Sequence, residues 1–155
     1  MVIGIQVKRQ LQILLRENVK NDLTNILEGL PLKDDCTNDQ ILDRIETLNP
    51  RLISFVVYGQ NVNAGTTSMK GAIDIANFLK SKTNRLISFI GSHVQALPIE
   101  TLKKEKSIDF VFTNEGVYSL WNILKLNEIT LKNLTNINGI ALRNDEGEII
   151  FNKPE

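Results

Sequence analysis

The run LISFVVY at 52–58 is interrupted by a single serine and is rich in β-branched residues, which argues for a strand covered on both faces. Its first residues, with the arginine before them, return almost at once: Arg51-Leu52-Ile53-Ser54-Phe55 recurs as Arg85-Leu86-Ile87-Ser88-Phe89. A strand, a crossover helix and the return to the next strand take roughly 30 residues. The echo therefore reads as two turns of one βα unit rather than as proof of a duplication. Between the copies, Met69, Ala72, Ile73, Ala76 and Leu79 recur at helical spacing and predict a helix over about 66–81. A third apolar run occupies 108–113. Strands alternating with helices define an α/β chain with a largely parallel sheet and right-handed crossovers.

The remaining elements follow from local chemistry. Thr37-Asn38-Asp39-Gln40 has the form of a capping box, and Ile41, Leu42, Ile45 and Leu48 then line one face of a helix that ends before Pro50. Pro98 suits the first residue of a short helix reaching about Lys104. Asn114-Glu115-Gly116 turns into a helix carrying Val117, Leu120, Trp121, Ile123 and Leu124, with Trp121 and Phe110 expected in the core. At the tail, 137–143 and 148–152 flank Asn144-Asp145-Glu146-Gly147 and predict a β-hairpin. The first thirty residues place Val7, Leu11, Leu14, Leu15, Val19, Leu23, Ile26, Leu27 and Leu30 at helical spacing. They read as one long amphipathic helix, or two broken near 18–21, stopped by Gly29 and Pro31.

Composition excludes several function classes. Lys plus Arg equals Asp plus Glu at 18 each, so no net field draws the chain to nucleic acid or to an acidic membrane. One domain, 1–155, accommodates the length. The single Cys36 supports neither an internal disulfide nor a thiolate metal site, and the single His93 removes most zinc and histidine-triad chemistries. No metal ligands and no nucleophile–base pair are evident, so the chain is not expected to be catalytic by itself. Without a secretory signal or an apolar run near 18 residues, a cytoplasmic location is the default.

In a parallel sheet, ligands bind beyond the carboxyl ends of the strands. Three loops converge there: 58–67, 91–97 and 113–116. In the first, Tyr58, Gly59, Gln60, Asn61, Asn63, Gly65, Thr66 and Thr67 offer glycine-permitted backbone approach and uncharged donors and acceptors. The same residues would serve equally as turn formers and as a helix cap. They fit neither a P-loop nor a GxGxxG fingerprint. Gly91, Ser92 and His93 form the second candidate segment, although a lone histidine more often bonds a neighbouring carbonyl. Asn114, Glu115 and Gly116 form the third, where Glu115 is also favourable to the helix dipole without any function.

Taken in order, Pro50-Arg51-Leu52-Ile53, YGQNVNAGTTSM, GSHVQALP at 91–98, Asp109-Phe110-Val111 and NEGVYSL at 114–120 resemble a known pattern. They are similar to the cobalamin-binding-type N-terminal domain of radical SAM enzymes, in the subgroup reading YGxxPSAST, GGHxxALP and GEGxYT. The hairpin, from Ile137-Asn138-Gly139 to Asn152-Lys153-Pro154, resembles the segment that leads into the radical SAM barrel. The likeness covers about 37–155, and 1–35 is atypical. It implies a Rossmann-like, flavodoxin-like domain whose C-terminal strand edge faces a corrinoid, with the three loops as cofactor-binding segments. It also implies a radical SAM catalytic domain as partner. The CxxxCxxC cluster ligands are missing, so no iron–sulfur cluster belongs to this chain. The DxHxxG axial-histidine motif is missing as well, and His93 stands in a different loop. The family opens on a strand, and the helical reading of 1–30 therefore implies a sheet without its usual first strand. The alternative is an interaction or oligomerisation module that has lost its cofactor and associates through the N-terminal helical segment.

Overall fold

The computed structural model describes residues 2–6, 27–31, 37–58 and 62–154; for 2–6, 27–31 and 62–67 it gives the backbone alone. Seven strands form one sheet: β1 (Val2–Gln6), β2 (Leu27–Pro31), β3 (Leu52–Val56), β4 (Ile87–Ile90), β5 (Phe110–Phe112), β6 (Ile140–Arg143) and β7 (Ile149–Phe151). Their spatial order is β2-β1-β3-β4-β5-β6-β7. The first five lie parallel, while β6 and β7 are antiparallel and form the expected hairpin. The order 2-1-3-4-5 is that of flavodoxin-like sheets, with the topological switch between β1 and β3.

The helices are α1 (Asn38–Leu48), α2 (Val62–Lys82), α3 (Ser92–Ala96), α4 (Pro98–Lys104), α5 (Val117–Leu124) and α6 (Leu131–Leu134). The capping box is present in full: Gln40 N–H donates to Thr37 Oγ1 at 3.3 Å, and Thr37 N–H donates to Gln40 Oε1 at 2.9 Å. One apolar layer joins Phe55, Phe89 and Val111 to Ile45 of α1, Met69, Ala72, Ala76 and Leu79 of α2, and Leu102 of α4. The opposite layer joins Val56, Ile90, Phe110 and Phe112 to Ile123 of α5 and Leu134 of α6. Burial on both faces is why these strands read as unbroken apolar runs rather than as alternating ones.

The echoed pentapeptide has a structural meaning. β3 and β4 are neighbours in parallel register, so Ser54 lies opposite Ser88 and Phe55 opposite Phe89. Ser88 Oγ donates to Ser54 Oγ at 3.0 Å, and the two rings stack with centroids 4.7 Å apart. Identical residues thus pack as a layer across adjacent strands.

Three expectations need correction. Residues 2–6 and 27–31 are strands paired with each other, and β1 also pairs with β3 from Val2↔Leu52 to Gln6↔Val56, so the first strand is present in the sheet. Gly29 and Pro31 do not stop a helix. They sit in β2, at the sheet edge, where a missing proline N–H is tolerated. The helix expected over 7–26 falls outside the described residues. In addition, α2 starts at Val62, so Asn63, Gly65, Thr66 and Thr67 belong to its first turns rather than to a loop. Finally, Trp121 is not in the core. It is 38% exposed, and the Lys125 ammonium sits 4.9 Å from its ring centroid.

Candidate functional site

The carboxyl ends of β3, β4 and β5 deliver three segments to one edge of the sheet. β3 continues into Val57 and Tyr58, β4 into Gly91 and α3, and β5 into Thr113-Asn114-Glu115-Gly116. Val57 N–H donates to Ile90 O at 2.8 Å, which carries the parallel ladder past the last strand residues. Gly91 then crosses directly against Val57. Its φ of +147° is costly for other residues, and a Cβ there would lie 1.9 Å from the Val57 carbonyl oxygen. Only glycine allows these two strand ends to meet so closely.

The third segment is equally constrained. Asn114 Oδ1 accepts from Gly116 N–H at 2.8 Å, an Asx turn that precedes α5. Gly116 holds φ +74°, and a Cβ there would meet Ile90 Cδ1 at 2.7 Å and Phe112 Cδ1 at 2.8 Å. The hairpin supports this turn from behind: Thr113 N–H donates to Gly139 O at 2.9 Å, and Ser119 Oγ donates to Asn138 O at 2.7 Å.

One side chain joins all three segments. Gln95, on α3, donates from Nε2 to Asn114 O at 2.9 Å and to Tyr58 Oη at 3.4 Å. Burial pushes the Tyr58 phenol above its ordinary range; the Gln95 hydrogen bond works against that rise, and the negative charge of Glu115 adds to it. Two more hydroxyls mark the edge. Ser92 Oγ and Thr113 Oγ1 are buried with no hydrogen-bond partner among the described residues.

Against the sequence expectations, Tyr58, Gly91, Ser92, Asn114 and Gly116 are brought to one edge, with Tyr58 and Asn114 joined through Gln95. His93 is half-buried on α3 and Glu115 is exposed, both in the same segments. Gly59, Gln60 and Asn61 lie outside the described residues, and of Asn63, Gly65, Thr66 and Thr67 only the helical backbone is described. Cys36 also lies outside them. Gln95 and Thr113 fall inside the converging segments 91–97 and 113–116 but are not among the candidate residues singled out there; their place in those segments is the one signal the sequence carries for them.

No protein-family model matches the chain, and no curated protein matches it in sequence. Solved structures do match it. The apo form of the cobalamin-dependent S-adenosylmethionine radical enzyme OxsB superposes with TM-score 0.68 at 19% identity, covering 99% of this chain and 22% of that one. The same enzyme with aqua-cobalamin and S-adenosylmethionine bound gives TM-score 0.60 at 16% identity. The radical S-adenosylmethionine methyltransferase TsrM from Kitasatospora setae, with cobalamin and an iron–sulfur cluster bound, gives 0.65 at 12%, covering 99% of this chain and 28% of its own. At these identities the likeness is one of fold. The chain spans 22% to 28% of these enzymes' length.

Proposed function

We propose that this chain is a cobalamin-binding-type domain, which holds a corrinoid over the carboxyl ends of β3, β4 and β5 and presents it to a catalytic domain of the radical SAM class. The observation that carries the reading is the likeness in fold, over 99% of the chain, to enzymes that are cobalamin-dependent. The presence of β1 strengthens it, because the sheet keeps the switch point beside which ligands of flavodoxin-like folds bind.

The residues at the edge fit such a group. A corrinoid is a broad ring with uncharged amide side chains and brings its own metal, so it needs a low floor and neutral polar contacts rather than a protein metal cage. Among the described residues no three His, Cys, Asp or Glu side chains converge as a cage. Gly91 keeps the floor low against Val57, and the amide and hydroxyl groups of Asn114, Ser92, Thr113 and Tyr58 are uncharged. Buried hydroxyls are normally paired; of the four unpaired ones among the described residues, Ser92 Oγ and Thr113 Oγ1 stand where a ligand's polar periphery would meet them, while Thr83 Oγ1 and Ser107 Oγ lie at the opposite edge. When bound, the corrinoid would supply a redox-active cobalt; this chain's residues would hold and orient the ring.

Docking on a catalytic domain is the second half of the proposal. Tyr118 is 75% exposed and Val117 exposed on α5, directly after the Asn114–Gly116 turn, so an apolar surface adjoins the ligand edge. Association through an N-terminal helix has no comparable support, since 7–26 lies outside the described residues. No helix among the described residues is long and apolar enough to cross a membrane.

The test is titration of the purified chain with hydroxocobalamin, followed by visible absorption and thermal unfolding. A saturating spectral change with a raised midpoint is expected, because a ligand that binds only the folded state stabilises it by mass action. No change at excess hydroxocobalamin would remove the corrinoid and leave the fold untouched.

A further inference from the structure

The hydrogen bonds of Gln95 settle which way Tyr58 faces. The Asn114 backbone carbonyl can only accept, so the amide atom 2.9 Å from it must be the NH2 group. That same NH2 group meets Tyr58 Oη at 3.4 Å. Tyr58 therefore accepts from Gln95, and its own hydroxyl proton is directed elsewhere. No acceptor for that proton occurs among the described residues, and the ring is half-buried at the mouth of the candidate site.

The charges around it restrict the acceptor that could meet it. The described edge segments, 57–58, 91–97, 113–116 and 138–139, contain no lysine or arginine and one carboxylate, Glu115. The Glu115 charge acts on the Tyr58 phenol, and an anionic ligand group at the same spot would meet the same sign of repulsion, with no compensating cation in these described segments. An amide carbonyl carries no such penalty.

We infer that Tyr58 is a hydrogen-bond donor to an uncharged acceptor on the ligand, with Gln95 as the positioning residue that turns its proton outward. Resting on the corrinoid reading, this names the ligand more closely: a ring whose peripheral groups at this edge are amides rather than carboxylates. A hydrolysed ring, with acids in place of amides, binds more weakly.

The experiment compares hydroxocobalamin with the same molecule after its peripheral amides are hydrolysed to carboxylates, for the unaltered chain, Tyr58→Phe and Gln95→Leu. The expected result is tighter binding of the amide form, and a loss of about two- to tenfold in Tyr58→Phe, the size of one neutral hydrogen bond. Gln95→Leu should show a similar loss. Its phenol titration, read by 13C NMR of labelled tyrosine with the second signal assigned by Tyr118→Phe, should also move to higher pH, because the bond that favours the phenolate is gone. That titration needs no ligand and distinguishes positioning from a general loss of structure. Equal binding of the two rings, or undiminished binding by Tyr58→Phe, overturns the inference while the corrinoid reading stands. An unaltered chain that binds neither ring overturns that reading and the ligand assignment with it. A Tyr58 titration unmoved by Gln95→Leu overturns the role of Gln95.

Discussion

At the amino-terminal edge of the sheet, charged side chains bond several of the backbone groups that connect the elements. Arg51 donates to the carbonyls of Leu126 and Asn127 at 2.7 and 2.6 Å, and its counterpart in the echo, Arg85, donates to Pro50 O and Asn49 Oδ1 at 2.6 and 2.7 Å. Lys80 pairs with Asp109 at 2.6 Å, and the same carboxylate oxygen accepts from Ile87 N–H at 2.7 Å. Arg143 binds the carbonyls of Ile108 and Leu102. The carboxyl-terminal edge of the same strands carries no lysine or arginine in segments 57–58, 91–97 and 113–116. It relies on glycines, amides and hydroxyls, and it leaves Ser92 Oγ and Thr113 Oγ1 unpaired. Unpaired buried hydroxyls occur at both edges, with Thr83 Oγ1 and Ser107 Oγ at the amino-terminal one; what differs is that charged side chains brace that edge, whereas uncharged groups line the other. That asymmetry suits a ligand edge: the strands are anchored at one end so that the other can remain uncharged and polar.

The comparison can be broken first at its strongest point. Asp109→Ala leaves the Lys80 ammonium with the Arg85 carbonyl but no carboxylate, and the Ile87 N–H without its acceptor, at a cost of about 2–4 kcal/mol. In a chain of this size that lowers the thermal midpoint by about 5–15 °C. If the two edges are separate in function, the folded variant binds hydroxocobalamin within about twofold of the unaltered chain at low temperature. A tenfold loss of binding would couple the edges and dissolve the distinction.

Gly91→Ala attacks the other edge and should destabilise by about 2–3 kcal/mol, from a strained φ and the clash with the Val57 carbonyl. Here binding must fall together with stability, since the two strand ends that form the floor are pushed apart. Denaturant unfolding alongside the corrinoid titration separates this pattern from that of Asp109→Ala.

A smaller effect appears at high pH. The Tyr58 phenol titrates above 10.0 in the fold, so folding favours its neutral form. That contribution is complete below the unfolded-state value and is lost as pH rises through the folded one. Tyr58→Phe should therefore flatten part of the alkaline decline in stability above about pH 10. An unaltered decline would mean that the phenol is as free in the folded chain as in the unfolded one.

How far the two edges could be read in advance differs for a physical reason. Strands β3, β4 and β5 declare themselves because they are buried on both faces, and the capping box at Thr37 is local chemistry complete within four residues. β1 and β2 do not. Five residues of Val2-Ile3-Gly4-Ile5-Gln6 run straight into a stretch of helical period, and Gly29 and Pro31 are stronger as local stop signals than as members of an edge strand. Parallel pairing between segments 25 residues apart (Val2 with Leu27) leaves no periodic trace in either. The convergence of the three segments was legible from topology, since parallel strands bring their carboxyl ends to one side. The role of Gln95 was not, because its two partners lie 37 and 19 residues away and no motif joins them. Trp121 was misplaced because helical spacing fixes a face only approximately, and its ring lies at the margin beside Lys125.

The smallest effect tests the ligand edge most directly, by setting two buried hydroxyls against each other. Ser88 Oγ, in the middle of the sheet, is bonded to Ser54 Oγ at 3.0 Å. Ser88→Ala strands that partner and should cost about 1 kcal/mol. Thr113 Oγ1, at the carboxyl edge, has no partner among the described residues, so Thr113→Val removes an unpaired polar atom at nearly constant volume. Its stability should stay level or rise by up to about 1 kcal/mol. Its affinity for hydroxocobalamin should fall by about two- to tenfold, because the hydroxyl lost is one the ligand would satisfy. Stability and binding moving in opposite directions at Thr113, and stability alone falling at Ser88, would identify the unpaired hydroxyl as kept for a ligand. If Thr113→Val loses stability as Ser88→Ala does, the hydroxyl has a structural partner and is not kept for a ligand.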